Sequence, residues 1–285
     1  MSIERTWEEY NRNRGFSLPL SCLKIIFSIL SCVYLLAYYL RVFLYKLGVI
    51  KSKGLEAKVI SVGNITLGGT GKTPLVICIG ERLKSKGENF AILTRGYKRE
   101  SKKMVEIMNE ELNWKKTGDE PFMLSSELPG VPIFIHKNRF QAGKEALRKY
   151  KTRIFILDDG FQHWGLQRDV NIVVIDCLNP FGGGKLFPAG FLREPLKALK
   201  RADIFVLNRA DPATNMEEIK RVLNRYNPDA LKVESLYLLD SIEHFLDHSL
   251  VDANTLKGKT FVAFSGIANS LSFEKTLDHL IGSSL

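Results

Sequence analysis

Cysteine is scarce in this 285-residue chain: there are four, and Cys22, Cys32, Cys78 and Cys177 form no CxxC pair and show no metal-ligand spacing. A disulfide framework is therefore excluded, structural zinc goes with it, and a reducing cytosol is the expected setting. Two of the four, Cys22 and Cys32, lie in an apolar segment, where cysteine behaves as a small hydrophobe. The chain also lacks an internal repeat and a low-complexity tract. A cleavable signal is absent too, because the long apolar stretch starts late and ends without a small-residue cleavage site.

Acid is in deficit, with 41 Lys and Arg against 31 Asp and Glu and a net charge of +10. Residues 1–58 hold nine Lys and Arg against four Glu, so half of the excess lies beside the most apolar part of the chain. Basic residues that flank an apolar helix point to an anionic membrane surface rather than to nucleic acid. A basic face that only aids solubility is the bland alternative. No obligate protein partner is evident. An apolar fraction of 45% and a charged fraction of 25% are ordinary for a globular protein, and the length allows one large domain or two modest ones.

The apolar stretch runs over residues 18–50, with 16 uncharged residues between Lys24 and Arg41. As a helix those 16 reach roughly 24 Å at about 1.5 Å per residue, short of a bilayer core of about 30 Å. Positive charge lies on both sides, so the positive-inside rule chooses no orientation. An interfacial or half-inserted helix is the favoured reading; a true span and a helix buried in the protein are the others.

From residue 58 onward the pattern alternates. KVISVG, FAILTRG, VPIFIHK, RIFILDDG, NIVVIDC, DIFVLNRAD and FVAFSG read as short strands, several apolar throughout, while 73–86, 139–150, 193–201 and 216–226 carry helical periodicity. Apolar strands separated by helices predict a doubly wound α/β fold with a mostly parallel sheet covered on both faces. The expected organisation is a membrane-associating helical segment over 1–57, a core over 58–211 and a smaller C-terminal α/β subdomain over 212–285.

Within the core, Thr66-Leu67-Gly68-Gly69-Thr70-Gly71-Lys72-Thr73 follows an apolar strand and opens a helix. It matches the P-loop pattern except that Thr66 replaces the usual first glycine. Backbone N–H groups of such a loop converge on phosphate oxygens, and the helix N-terminus adds positive potential. Lys72 would reach the β- and γ-phosphates, and the Thr73 hydroxyl would ligate Mg²⁺. Asp158-Asp159 ends another apolar run, as a Walker B carboxylate does, although Asp-Gly is also a common turn. Neighbouring side chains on a strand point to opposite faces, so one carboxylate can face a metal while the other orients a loop or substrate. His163 is four residues further on, within reach of a substrate or simply structural. Asp119-Glu120 precedes a helix-like run and reads most simply as an N-cap with an acidic first turn. LNRAD (207–211) bears a weak similarity to the guanine-reading motif of GTPases, with Arg209 in place of lysine.

VGNITLGGTGKTP, LTRGYKR, GDEPFML, DDGFQHWGLQRD and FPAGFLREPL occur in the order seen in the tetraacyldisaccharide 4′-kinases, and the chain resembles that family from its apolar helix through GKTFVAFSGIAN. The resemblance implies a P-loop core and a small C-terminal subdomain that closes on nucleotide. It also implies ATP with Mg²⁺, and transfer of the γ-phosphate to the 4′-hydroxyl of a tetraacylated disaccharide 1-phosphate, giving lipid IVA on the cytoplasmic face of a Gram-negative inner membrane. By the same resemblance Thr66 through Thr73 bind the nucleotide, Asp119 is the general base with Glu120 beside it, and Asp159 takes the metal with Asp158. Arg139, Arg193 and Glu194 surround the reacting phosphate, where Arg193 offsets developing charge and Glu194 positions metal or base. Arg95, Tyr97, Gln162 and His163 contact substrate.

Family members continue into a Phe-Pro-Asp-His segment whose histidine pairs with the aspartate. Here Asp278-His279 follows Thr276-Leu277 in a helix-like stretch, so the C-terminal subdomain is expected to be truncated and Asp119 to lack that partner. A regulatory P-loop GTPase, and a remnant that binds nucleotide without turnover, are the competing readings.

Overall fold

The run KVISVGN folds as β1 (Lys58–Asn64) at the centre of an eight-stranded sheet. The computed structural model describes residues 18–96, 99, 103–108, 117–210, 215–236, 241–244, 246–247, 249–256, 262–266, 273–274 and 277. After β1 come α2 (Lys72–Ser85), β2 (Phe90–Thr94), β3 (Val105–Ile107), α3 (Asp119–Glu127), β4 (Ile133–Ile135), α4 (Arg139–Tyr150), β5 (Ile154–Asp158), β6 (Val170–Asp176), β7 (Ile204–Asn208), α5 (Met216–Tyr226) and β8 (Leu231–Ser235). The strands lie in the order β3-β4-β2-β5-β1-β6-β7-β8, parallel from β4 through β7, with β3 antiparallel at one edge. An apolar helix, α1 (Leu18–Lys46), precedes β1.

Alternation along each strand divides the core between the two faces. On one face Val62, Ile92, Ile133 and Ile156 pack against Val76 of α2 and Leu124 of α3. On the other, Leu93, Phe134, Phe155 and Leu157 pack against Ala142 and Ala146 of α4, and Val173, Ile175 and Phe205 pack against Leu199, Ile219 and Leu223. Each fully buried side chain of this size contributes about 1.5–3 kcal/mol, which explains why strands covered on both faces are apolar throughout.

Two strands not foreseen, β3 and β8, are the sheet edges, where three- and five-residue segments carry little apolar signal. The segment expected to be helical over 193–201 is a 3₁₀ turn at Leu196–Arg201. Pro195 is the reason: the residue before a proline is pushed out of the α region, so no helix begins ahead of it. FVAFSG is not a strand over its described residues 262–266, and Val262 and Phe264 stand almost fully exposed, with no strand paired to them among the described residues. The chain divides into two compact units, Met1–Glu234 and Ser235–Leu285, a division later than the one expected near residue 212. Helix α5 stays with the first unit because it packs on the 3₁₀ turn. Asp278-His279 lies outside the described residues.

Helix α1 is not buried, which removes that reading of the apolar stretch. It is long and apolar enough to cross a membrane, by length and composition. One face is nonetheless fastened to the first unit. Ser31 Oγ donates to the Leu186 carbonyl at 2.9 Å, Tyr34 Oη to the Arg193 carbonyl at 2.7 Å and Arg41 Nη2 to the Gln162 carbonyl at 3.0 Å. Ile25, Ile29, Val33, Leu36, Leu40 and Phe43 are exposed. At about 100° per residue Leu36 and Leu40 fall opposite Tyr34 and Tyr38, so the exposed apolar stripe is the face turned away from the core.

Candidate active site

Five of the six parallel strands end on polar residues: β1 on Asn64, β2 on Thr94, β5 on Asp158, β6 on Asp176 and β7 on Asn208, all buried. In open α/β sheets ligands bind outside the carboxyl ends of the strands, and the glycine-rich loop after β1 and Asp158-Asp159 at the end of β5 lie there. The glycine-rich loop leaves β1 and enters α2, with Gly68 and Gly71 at φ 103° and 91°, where any side chain would be strained. Asn64 Nδ2 donates to Thr70 Oγ1 at 3.0 Å. Asn208 Nδ2 donates to the Thr70 carbonyl at 2.8 Å, and Arg209 Nη2 to the Gly69 carbonyl at 3.2 Å. Because a carbonyl and the next amide point oppositely across a planar peptide bond, fixing those carbonyls turns the Thr70 and Gly71 amides toward the other side. Such amides are the donors that a P-loop aims at phosphate oxygens.

Lys72 and Arg193 converge on one carboxylate. Arg193 Nη1 donates to both oxygens of Asp159, at 2.8 and 3.0 Å, and Lys72 Nζ lies 3.6 Å from Asp159 Oδ1. Burial pushes the Asp159 carboxyl up, but Lys72 and Arg193 outweigh it and hold the group below its ordinary range. Asp159 also sits at φ 47°, a conformation that aspartate tolerates better than most residues. Its neighbour behaves in the opposite way. Asp158 is fully buried, accepts from Thr94 Oγ1 at 2.8 Å, and is pushed up to about 6 by burial, with Glu120 and Asp159 adding to the effect. The pair thus supplies one carboxylate held ionised by cations and one set deeper.

Arg139 opens α4, behind the Asn138 side chain that caps the helix by accepting from Gln141 N at 3.2 Å. A buried cation at a helix N-terminus opposes both solvation and the helix dipole. Burial lowers its pKa to about 10, and the fields of Asp158 and Asp159 oppose that shift. His163 is lowered to about 4 by burial and then by Arg139, Arg168, Arg41 and Arg95, so it is neutral near pH 7. Arg95 itself is exposed at the end of β2, and Tyr97 lies outside the described residues.

The N-cap of α3 is Gly118, at φ 90°, and not Asp119. Asp119 and Glu120 are the first two helical residues, both exposed, so neither is used up in capping. Gln162 Nε2 donates to the Asn64 carbonyl at 2.7 Å, bracing the end of β1. Glu194 is the residue placed least as expected. It is 2% exposed, and its two oxygens go to Trp164 Nε1 at 3.2 Å and to Arg201 Nη2, so its carboxylate is engaged away from the P-loop. The 191–193 segment lies on the loop itself: Leu67 N donates to the Phe191 carbonyl at 2.7 Å, and Arg193 N to the Ile65 carbonyl at 2.8 Å.

Sequence reasoning missed Asn64, Thr94 and Asp176, and the signal was there: each closes an apolar strand with a polar residue. Asn208 and Arg209, read as a weak base-recognition motif, instead brace the P-loop, and Arg209 Nη1 also pairs with Asp176 at 2.6 Å. Asp211 lies outside the described residues.

A glycine-rich loop between a central parallel strand and a helix, with a carboxylate pair ending the next strand, defines a P-loop phosphoryl-transfer protein. The model of one such family, tetraacyldisaccharide-1-P 4′-kinase (LpxK), matches residues 23–283. The chain belongs to that family. It is 41% identical to the tetraacyldisaccharide 4′-kinase of Halothermothrix orenii, over 97% of this chain and 77% of that one. It is 44% identical to that of Elusimicrobium minutum, over 88% and 69%. A crystal structure of LpxK from Aquifex aeolicus in complex with ATP superposes with a TM-score of 0.69 at 34% identity, covering 90% of this chain and 78% of that one. The protein is an ATP-dependent kinase of lipid A biosynthesis, phosphorylating the 4′-position of tetraacyldisaccharide 1-phosphate.

Proposed function

We propose that transfer takes place over the carboxyl ends of β1, β2 and β5, with ATP on Thr66–Thr73 and the sugar hydroxyl on the α3 side. The observation that carries this reading is the convergence of Lys72 and Arg193 on Asp159 beside the loop. Two cations and a carboxylate at one point suit a polyphosphate, whose charge the cations offset and whose counter-ion the carboxylate attracts. Asp119, exposed at the start of α3, accepts the 4′-hydroxyl proton as that oxygen bonds to the γ-phosphorus. The bond from phosphorus to the β–γ bridging oxygen breaks, and ADP leaves with the electron pair. Arg139 and Arg193 each have a buried Nε with no hydrogen-bond partner among the described residues, and they supply further donors toward phosphate oxygens.

Mg²⁺ fits this donor set. It is usually held by one or two carboxylates together with substrate phosphates, and the Thr73 hydroxyl with Asp158 and Asp159 offers such hard oxygens. Among the described residues no cluster of three or more His, Cys, Asp or Glu forms a self-sufficient metal cage, which the ion does not need. When bound it would neutralise charge on the β- and γ-phosphates.

The acceptor arrives from a membrane. Helix α1 is fastened to the core from Ser31 to Arg41, so leaving the core to cross a bilayer would break those bonds. Lying in the interface on its exposed apolar face keeps them, and spares the roughly 0.8 kcal/mol per CH₂ needed to extract acyl chains. The face served is the cytoplasmic one, where ATP is found, and Arg95, Tyr97, Gln162 and His163 are the proposed contacts to the disaccharide.

The test is transfer of radiolabelled γ-phosphate to tetraacyldisaccharide 1-phosphate dispersed in detergent. Transfer by the wild-type chain, abolished by Lys72→Ala and lowered about 10²-fold or more by Asp119→Ala, is the expected result. An Asp119→Ala variant with undiminished turnover overturns the assignment of the base.

A further inference from the structure

Arg201 has no part in the chemistry above, yet its guanidinium is held from four directions. It closes the 3₁₀ turn after Pro195, and its central carbon lies 4.4 Å from the ring centre of Phe161 and 4.4 Å from that of Trp164. Its Nη2 donates to Glu194 and to the Phe161 carbonyl, the latter at 3.3 Å. Trp164 completes the cage by donating Nε1 to the other Glu194 oxygen, and it continues outward to α1, where Tyr38 stands edge-on at 6.2 Å and the Arg41 guanidinium lies 5.5 Å from its ring.

The consequence falls on the preceding residue. Arg193 reaches Asp159 with its side chain, Ile65 just after β1 with its amide and Tyr34 with its carbonyl, so its placement depends on the path of the chain through 193–195. Glu194 is the anchor of that path. Burial pushes its carboxyl up, and the Arg201 charge works against that shift without cancelling it. A carboxylate this deep without its cation would turn outward or take up a proton, and either response releases the segment.

We propose that Arg201 is a positioning residue for phosphoryl transfer: clamped between Phe161 and Trp164, it fixes Glu194 and thereby holds Arg193 against Asp159 beside the P-loop. This rests on the reading of Arg193 as a phosphate-facing group. A cation that merely stabilised the fold would change melting temperature and leave the chemical step alone; a positioning residue lowers kcat more than nucleotide affinity. Lysine replaces it poorly, since an ammonium can neither stack between two rings nor present a planar fork.

The experiment compares Arg201→Ala, Arg201→Lys, Arg193→Ala and the double variant Glu194→Gln/Arg201→Met in the full chain. Readouts are kcat, nucleotide Kd, thermal melting, and rescue of Arg201→Ala by added guanidinium. Arg201→Ala is expected to lose about 100-fold in kcat, the loss that follows a misplacement of about 1 Å, with nucleotide Kd within about threefold. Arg201→Lys recovers part of the loss, and guanidinium restores part of the activity of Arg201→Ala. The double variant buries no charge and so keeps the fold even if Arg201→Ala does not, and it still loses about tenfold in kcat. Wild-type kcat in either Arg201→Ala or the double variant overturns the proposal, as does a parallel loss of kcat and nucleotide affinity without guanidinium rescue. If Arg193→Ala itself turns over normally, the parent reading fails instead.

Discussion

Tyr34 of the apolar helix donates its hydroxyl to the Arg193 carbonyl, 2.7 Å away and 159 residues distant in sequence. The side chain of the same arginine lies on Asp159, beside Lys72. The helix that would meet the lipid and the loop that would meet the phosphate therefore meet at one residue, Arg193. Ser31 and Arg41 fasten the same helix face to segments 186–193 and 162–164, both of which also touch β1 or the P-loop.

Replacing Tyr34 by Phe removes that hydrogen bond and little else. A neutral intramolecular bond is worth about 0.5–1.5 kcal/mol net, so kcat on detergent-dispersed acceptor is expected to fall no more than about tenfold, with nucleotide affinity unchanged. Steady-state kinetics with both substrates varied checks this. An unaltered kcat would mean that the contact seats the helix without reaching the chemistry.

Asp158 and Asp159 are neighbours whose substitution should move stability in opposite directions. Asp158 has its folded pKa raised from 3.8 to about 6, so the native state keeps a proton that the unfolded chain has released. Its ionisation therefore weakens the fold as pH rises from about 4 to about 6, and by linkage the deficit above that window is about 3 kcal/mol at most. Asp158→Asn retains an acceptor for Thr94 and lifts the deficit, so the variant should melt higher than wild type at pH 7 while losing activity. Asp159 is depressed by Lys72 and Arg193, so its charge contributes stability above its unfolded pKa, and this is lost as pH falls through the folded one. Asp159→Asn should melt lower at pH 7. Matched calorimetry of the two variants decides; shifts of the same sign would refute the assignment.

His163 acts in the same pH window as Asp158 with the reverse sign. Half-buried and ringed by Arg139, Arg168, Arg41 and Arg95, it has a folded pKa of about 4 against 6.5 in a free side chain. Its neutral state contributes stability that is complete above pH 6.5 and lost progressively toward pH 4, where the unfolded chain binds the extra proton. His163→Gln should flatten the urea-measured stability over that interval, and the His163 NMR titration should centre near 4. A midpoint near 6.5 would place the imidazole in solvent and end its use as a neutral substrate contact.

The parallel core was legible because five of its six strands obey one local rule, an apolar run closed by a polar residue. That rule marks β1, β2, β5, β6 and β7 and places Asn64, Thr94, Asp158, Asp176 and Asn208 on one edge of the sheet. The P-loop was legible because its glycines, Lys72 and Thr73 are adjacent in sequence. The surroundings of Glu194 were not legible because its direction depends on Trp164, 30 residues away, and on Arg201 across a turn. The cap of α3 was misjudged because Asp119 is a good capping residue by type, whereas the chain turns at Gly118 with a φ only glycine adopts freely. β3 and β8 escaped because edge strands need not be apolar on both faces.

The outer stripe of α1 provides the last prediction. Leu36 and Leu40 are 70% and 56% exposed, opposite the tyrosines that fasten the helix. Burying a leucine is worth about 1.5–3 kcal/mol, so two of them account for at least a hundredfold or so in affinity for a bilayer, and a charge in each place adds a desolvation cost. Leu36→Asp/Leu40→Asp should therefore no longer sediment with anionic vesicles. Because neither side chain touches the core, transfer to acceptor dispersed in detergent should stay within about threefold of wild type, as surface substitutions rarely disturb a fold. Tyr38→Ala, on the opposite face, should instead retain vesicle binding and lose turnover, since it removes the edge contact to Trp164. Undiminished sedimentation of the double aspartate variant would mean that some other surface meets the membrane, and α1 would then be a brace for the active site alone.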